Sequence, residues 1–138
     1  MKKFNFRLEK VLQLRKFREE ECKIALGQAI SALNIIENNL KETAVKRHHA
    51  AMNRFQDTGQ ITAWEMYILR LDHEAQQLEE QAAKAELVVE ERRELYMEAS
   101  RDLKAIEKLK EKRQLEYRKE MEDYEMSEID DITASRRP

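Results

Sequence analysis

Asp57-Thr58-Gly59-Gln60 is the one strong break in the chain, and Ile61-Thr62-Ala63-Trp64-Glu65-Met66 follows it directly. Thr62 and Glu65 have the spacing of a capping box, in which the hydroxyl serves the amide three residues on and the carboxylate reaches back. Ile61 and Met66 occupy the two positions of a hydrophobic staple. Gly59 supplies the permissive backbone that a reversal uses. The stretch predicts a turn over residues 57–61 and a helix that starts at Thr62.

Both flanks of this turn read as long helices. Before it, Leu8, Leu12, Arg15, Glu19, Cys22, Leu26, Ala29, Leu33, Ile36 and Leu40 follow one another at spacings of three and four, and only Arg15 and Glu19 are charged. After it, Ile68, Leu71, Ala75, Leu78, Ala82, Ala85, Val89, Arg92, Tyr96, Ala99, Leu103 and Ile106 do the same, broken only by Arg92. A repeat of 3.5 residues keeps one narrow seam toward a partner helix, which is the coiled-coil condition. Asn5 is the candidate cap of the first helix. The expected helices cover residues 5–56 and 62–127, about 78 and about 98 Å long at the α-helical rise. A short link makes them antiparallel, so residues whose numbers add to about 120 should face each other. The fold class is therefore all-α: a single long antiparallel two-helix coiled-coil hairpin over residues 1–132. The tail 133–138 is expected to be disordered. Glu19–Lys23, Glu37–Lys41, Glu42–Lys46 and Glu80–Lys84 are spaced to pair along the outer faces, each for about 0.3–0.5 kcal/mol.

Composition supports this and excludes much else. The chain has 138 residues, 39% of them charged, with 2 glycines and 1 proline. A sheet protein needs far more turn residues. Gly27 and Gly59 stand alone, so no glycine-rich phosphate loop is present. The formal net charge of -2 gives no electrostatic reason to expect nucleic acid. The single Cys22 has no partner for an internal disulfide, as in a reducing compartment. No apolar run approaches a membrane span. No apolar stretch follows the basic Met1–Phe6, so no signal peptide is expected and the expected compartment is the cytoplasm.

Residues able to do chemistry are not gathered anywhere. His48 and His49 are adjacent and point to different faces. A zinc clip from one of them to His73 is geometrically open, but no third ligand is evident. Cys22 lies on the seam without a histidine to activate it. The carboxylates are spread over solvated faces. Neither catalytic residues, nor a cofactor site, nor a metal site is expected, and the chain does not read as an enzyme.

Interaction features are stronger. Residues 1–18 carry Lys2, Lys3, Arg7, Lys10, Arg15, Lys16 and Arg18 against one acid, Glu9, interleaved with Phe4, Phe6, Leu8, Val11, Leu12, Leu14 and Phe17. Phe4, Phe6, Leu14 and Phe17 cannot all face one helix. Lys104–Lys119, across the hairpin, is also basic, and Glu120–Asp131 turns acidic. The open end thus reads as a positively charged, aromatic-bearing rod end, suited to an acidic protein surface, a nucleic acid or an anionic membrane. At the turn, Phe55, Ile61, Trp64, Tyr67 and Ile68 exceed what a two-helix tip can bury. They form either a local plug or a docking knob. Gly27 stands mid-helix, where it allows a bend or close approach or is simply tolerated. The surplus of apolar residues leaves self-association open.

The opening Phe4-x-Phe6-x-Leu8-x-x-Val11-Leu12-x-Leu14-Arg15 resembles the start of the flagellar export protein FliJ family. Glu107-Lys108-Leu109-Lys110-Glu111-Lys112-Arg113 is similar to that family's Lys/Glu-rich carboxy-terminal motif, and Tyr117 and Glu128-Ile129-Asp130-Asp131-Ile132 fit it as well. The resemblance runs over essentially the whole chain. It implies a non-enzymatic component of the flagellar type III export apparatus, needed for flagellum biogenesis and motility, with a fold similar to the central stalk of rotary ATPases. The implied partners are the export ATPase hexamer, the cytoplasmic domain of the export gate and export chaperones. Nucleic acid is not among them. The implied location is cytoplasmic, peripherally at the inner membrane at the flagellar base. By the stalk analogy the open end enters the ring, which makes Phe4, Phe6, Arg7, Leu8, Lys10, Leu12, Arg15, Lys108, Lys112 and Arg113 the candidate ring-binding residues. Phe55, Trp64, Tyr67, Ile68 and Leu71 are the candidate gate-docking residues. Three alternatives stand beside this reading: an injectisome stalk homologue, a generic coiled-coil adaptor or holdase chaperone, and a nucleic-acid-binding arm, against which the acidic tail and the near-zero net charge count.

Overall fold

A computed structural model describes residues 3–136. Met1, Lys2, Arg137 and Pro138 lie outside the described residues. The chain folds into helix α1 (Glu9–Gln56), a short 3-10 turn over Thr58–Gln60, and helix α2 (Ile61–Ser135), with no strand among the described residues. The two long helices pack against each other, and the contacts fall into two compact units. Unit 1 is Met1–Glu20 with Met97–Pro138, and unit 2 is Glu21–Tyr96.

In unit 1 the pairs Glu9–Lys110 and Arg15–Asp102 run in opposite directions along the two helices. In unit 2 the pair is Arg47–Asp72. All three pairs have numbers adding to within three of the expected 120. Every position of the expected α1 seam from Leu8 to Leu40 is buried or half-buried, and so is every α2 position from Ile68 to Ile106 except Arg92. The 3.5-residue repeat therefore places the inner face in both units.

The helix ends differ from the expectation. α1 starts at Glu9, not at Asn5. Its first turn is closed by the Glu9 amide donating to the Phe6 carbonyl at 3.1 Å, and by the Leu12 amide donating to the Leu8 carbonyl at 2.9 Å. Residues two apart on a helix point about 200° away from each other. Leaving residues 3–6 out of the helix lets both Phe4 and Phe6 join the cluster of Leu12 and Leu103. Two aromatic side chains are thereby covered that a helical start could not cover together.

At the turn, α2 starts at Ile61, so Thr62 sits inside the first turn rather than at the cap. The Gln60 amide donates to the Asp57 carbonyl at 3.3 Å, and Asp57 makes no side-chain cap. Gly59 does not have a positive φ. A Cβ there would meet only Asp57 Oδ1 at 3.8 Å, an ordinary contact. The reversal is made by a 3-10 turn, which any residue can enter. α2 continues beyond 127 to Ser135, so Thr133–Ser135 of the expected tail is helical. From Glu122 onward every described residue is exposed. None of the four Glu–Lys pairs expected along the outer faces is among the ion pairs formed. Apart from the half-buried Glu19 their residues are exposed, where a pair gains little by forming.

Candidate protein-interaction site

The open end of unit 1 is built on Phe6, Leu12 and Leu103, with Phe4, Leu8, Ile106 and Leu109 packed around them. Phe4 also lies 5.5 Å, ring to ring, from Tyr117. Together with Arg7, Leu109, Arg113 and Glu120, these two aromatics line an open groove between the amino-terminal segment and α2. Phe6 and Leu12 are core residues, Phe4 and Leu8 are half-buried, and the rest of the expected set lies around them.

The basic residues divide into two groups. Arg15 donates to Asp102 at 2.9 Å, and Arg113 to Glu116 at 3.3 Å. Lys110 contacts Glu9 at 2.9 Å. That contact, aided by Gln13, holds the Glu9 carboxyl below its ordinary value. Arg7, Lys10, Lys108 and Lys112 are exposed and make no ion pair among the described residues. They are among the cations a partner could reach without displacing an existing ion pair, as are Lys16, Arg18 and Lys104.

Unit 2 presents a second surface at the turn. Ile68 and Leu71 are buried with Ala50 and hold the tip together. Trp64 and Tyr67 pack on that cluster edge to face, their rings 6.3 Å apart. Phe55 is 72% exposed, with the Arg54 guanidinium 4.7 Å from its ring centre. Arg70 lies 5.7 Å from the Tyr67 ring. The Trp64 indole N–H is buried without a hydrogen-bond partner among the described residues. Such a group costs about 1–3 kcal/mol while it stays unpaired. The expected tip cluster is thus split into a plug (Ile68, Leu71) and a rim (Phe55, Trp64, Tyr67).

The ring of Tyr117 meets Phe4 and the guanidinium of Arg15 meets Asp102, two contacts that the heptad pattern does not display. In the register near 120 the residue opposite Phe4 is Glu116, next to Tyr117, whereas the one opposite Arg15 is Ala105, three residues from Asp102. The three histidines are exposed, and no group of three or more potential metal ligands occurs among the described residues. No helix of the described residues is long and apolar enough to cross a membrane.

The paired helices, the Phe4–Tyr117 contact and the basic open end agree with a match to the family model described as flagellar FliJ protein, which covers residues 4–137. The chain belongs to the FliJ family. It is a component of flagellar protein export. No curated protein and no solved structure matches the chain. The FliJ match includes the open-end groove, the turn and the helical α2 extension alike.

Proposed function

We propose that this FliJ-family chain is a stalk-like, non-enzymatic element of the export apparatus. It binds and stimulates the export ATPase ring through the open end of unit 1 and reaches the export gate through the turn end of unit 2. Export chaperones are its third class of partner. The observation that carries the reading is the set of exposed cations without an ion pair, Arg7, Lys10, Lys108 and Lys112, in the unit that holds the aromatic groove, which Arg7 lines, in a chain matched by the FliJ family model. Basic side chains of this kind complement an electronegative surface and raise the rate of encounter with it. At the turn, the exposed Phe55 ring suits a partner that supplies apolar contact.

The test is ATP turnover by the cognate export ATPase with and without the protein. Deleting residues 1–18 would also remove Phe6 and Leu12 from the core, so charge reversal is the cleaner variant. Arg7→Glu with Lys10→Glu should lower the stimulation at least about tenfold, a loss of about 1.4 kcal/mol in coupling. The double variant Phe55→Ala, Trp64→Ala should leave stimulation intact while weakening binding to the gate domain. Stimulation that survives the charge reversal would refute the open-end assignment. The absence of any stimulation by the intact protein would refute the stalk reading and favour an adaptor or holdase.

A further inference from the structure

The last stretch of α2 differs from the rest of unit 1 in charge and in surroundings. From Glu122 to Ser135 it carries Glu122, Asp123, Glu125, Glu128, Asp130 and Asp131, and no lysine, arginine or histidine. Every residue of the stretch is exposed. Its side-chain hydrogen bonds are local: Tyr124 to Glu128, Thr133 to the Ile129 carbonyl and Ser135 to the Ile132 carbonyl. No ion pair among the described residues reaches it.

The charges of this stretch oppose its helix. Residues three apart are neighbours on a helix surface, which sets Glu122 beside Glu125, Glu125 beside Glu128 and Glu128 beside Asp131. Asp130 and Asp131 stand about one turn from the carboxy-terminal end, the negative pole of the helix. Propagation from the packed part of α2 is what keeps the stretch helical. A cationic surface would relieve both repulsions, and an anionic one would add to them.

The stretch also offers apolar contact. Met126, Ile129 and Ile132 are 61%, 58% and 52% exposed. Spaced three apart, they span about 120° of the helix surface. Glu122, Glu125 and Glu128 stand four residues before Met126, Ile129 and Ile132, each in line with the apolar residue it precedes. The face therefore alternates carboxylates with apolar side chains. Anionic lipid headgroups and nucleic acid are repelled by it. A surface that attracts Arg7, Lys10 and Lys112 is repelled as well. What fits is a protein groove with an apolar floor, bordered by lysine or arginine side chains.

We infer that residues 122–135 of α2 are a docking helix for a basic protein groove, with Met126, Ile129 and Ile132 as its apolar anchors. The surface is separate from the cations of the open end, and the inference does not depend on the export reading.

Calorimetric titration of the full chain with a synthetic amphipathic lysine–leucine helix tests it, against a scrambled peptide of the same composition. The amphipathic peptide should bind at least about tenfold more tightly than the scrambled one. It should slow amide exchange over residues 122–135 and leave the turn unchanged. Met126→Ser, Ile129→Ser and Ile132→Ser together should weaken binding roughly 100-fold. Glu122→Gln, Glu125→Gln and Glu128→Gln together should weaken it at least about tenfold. All six positions are exposed, so neither triple variant disturbs the cluster around Leu12 and Leu103. Equal binding of the two peptides would overturn the inference, as plain charge neutralisation. So would binding indifferent to either triple variant. Self-association of the chain alone, lost in the glutamine variant, would place the stretch on the basic open end of a second copy and would overturn it too.

Discussion

The two units use the same seam spacing and close it with different side chains. In unit 1 the buried residues include Phe6, Leu12 and Leu103, and the seam is flanked by the ion pairs Glu9–Lys110 and Arg15–Asp102. In unit 2 the buried seam is mostly small: Thr43, Ala50, Ala82 and Val89, with Ile68 and Leu71 as the large exceptions near the turn. Stabilisation follows the apolar area removed from water, at about 25 cal/mol per Å². The short unit 1 therefore concentrates its packing at the open end, while unit 2 spreads smaller contacts over more residues. Heptad spacing alone does not measure how firmly a seam is held. The sizes of the residues on it do.

Core truncation should break the comparison most visibly. Leu12 is 2% exposed among Phe6 and Leu103, and Leu71 is 4% exposed beside Ala50 and Ile68. Leu12→Ala and Leu71→Ala should each cost about 2–4 kcal/mol, with Leu12→Ala the larger because its neighbours are larger and leave a bigger void. Denaturant melts give the totals. Amide exchange over residues 9–20 and 97–110 for Leu12→Ala, and Trp64 fluorescence for Leu71→Ala, locate each loss. Equal losses at the two positions would show that seam size does not separate the units.

A smaller effect of opposite sign belongs to unit 2. Thr43 is 5% exposed on the seam, and its Oγ1 donates to the Asn39 carbonyl at 2.9 Å. That carbonyl is already within the hydrogen-bonding pattern of α1. Thr43→Val removes a buried hydroxyl and adds apolar contact, so it should raise stability by up to about 1 kcal/mol. A lower melting midpoint for Thr43→Val would show that the hydroxyl matters to the packing of this unit.

The smallest expected effect is the pH dependence of the Glu9–Lys110 pair in unit 1. Hydrogen bonding to Lys110 and then to Gln13 holds the Glu9 carboxyl below its ordinary value. A lowered folded-state value means that the pair's contribution is fully present above the ordinary carboxylate value. It is lost as the pH falls through the lowered value. Titration of the Glu9 side chain by NMR should move upward in Lys110→Gln, and the acid-side loss of stability of unit 1 should flatten. An unchanged Glu9 titration would mean that Lys110 does not hold it.

Much of this was legible in one dimension. The inner seams of α1 and α2 could be written out residue by residue, because a 3.5-residue period has only one way to keep a face toward its partner. The register near 120 followed from a single break and a short link. The start of α1 was not legible. Asn5 is a good cap by chemistry, yet the helix starts four residues later so that Phe4 and Phe6 can both reach the cluster around Leu12 and Leu103. The capping box at Thr62–Glu65 has the right residues at the right spacing, but the 3-10 turn at 58–60 brings the helix in at Ile61. Among the candidate site residues, the pattern could mark the basic open end and the aromatic turn. It could not separate Phe6, Leu12, Ile68 and Leu71, which build the core, from Arg7, Lys10, Phe55 and the Trp64–Tyr67 rim, which a partner can meet.

The sequence by itself determined an all-helical chain, one reversal, the residues of the inner seam and their antiparallel register. These depend on periodicity and on where the chain can break, which are local properties. Tertiary structure decided where each helix begins and ends. It also decided which aromatics are covered, and that Arg15 and Lys110 are paired across the helices while Lys10 and Lys112 are not. Those outcomes are settled by competition among side chains distant in sequence for the same few contacts, and that competition exists only once α1 and α2 lie side by side.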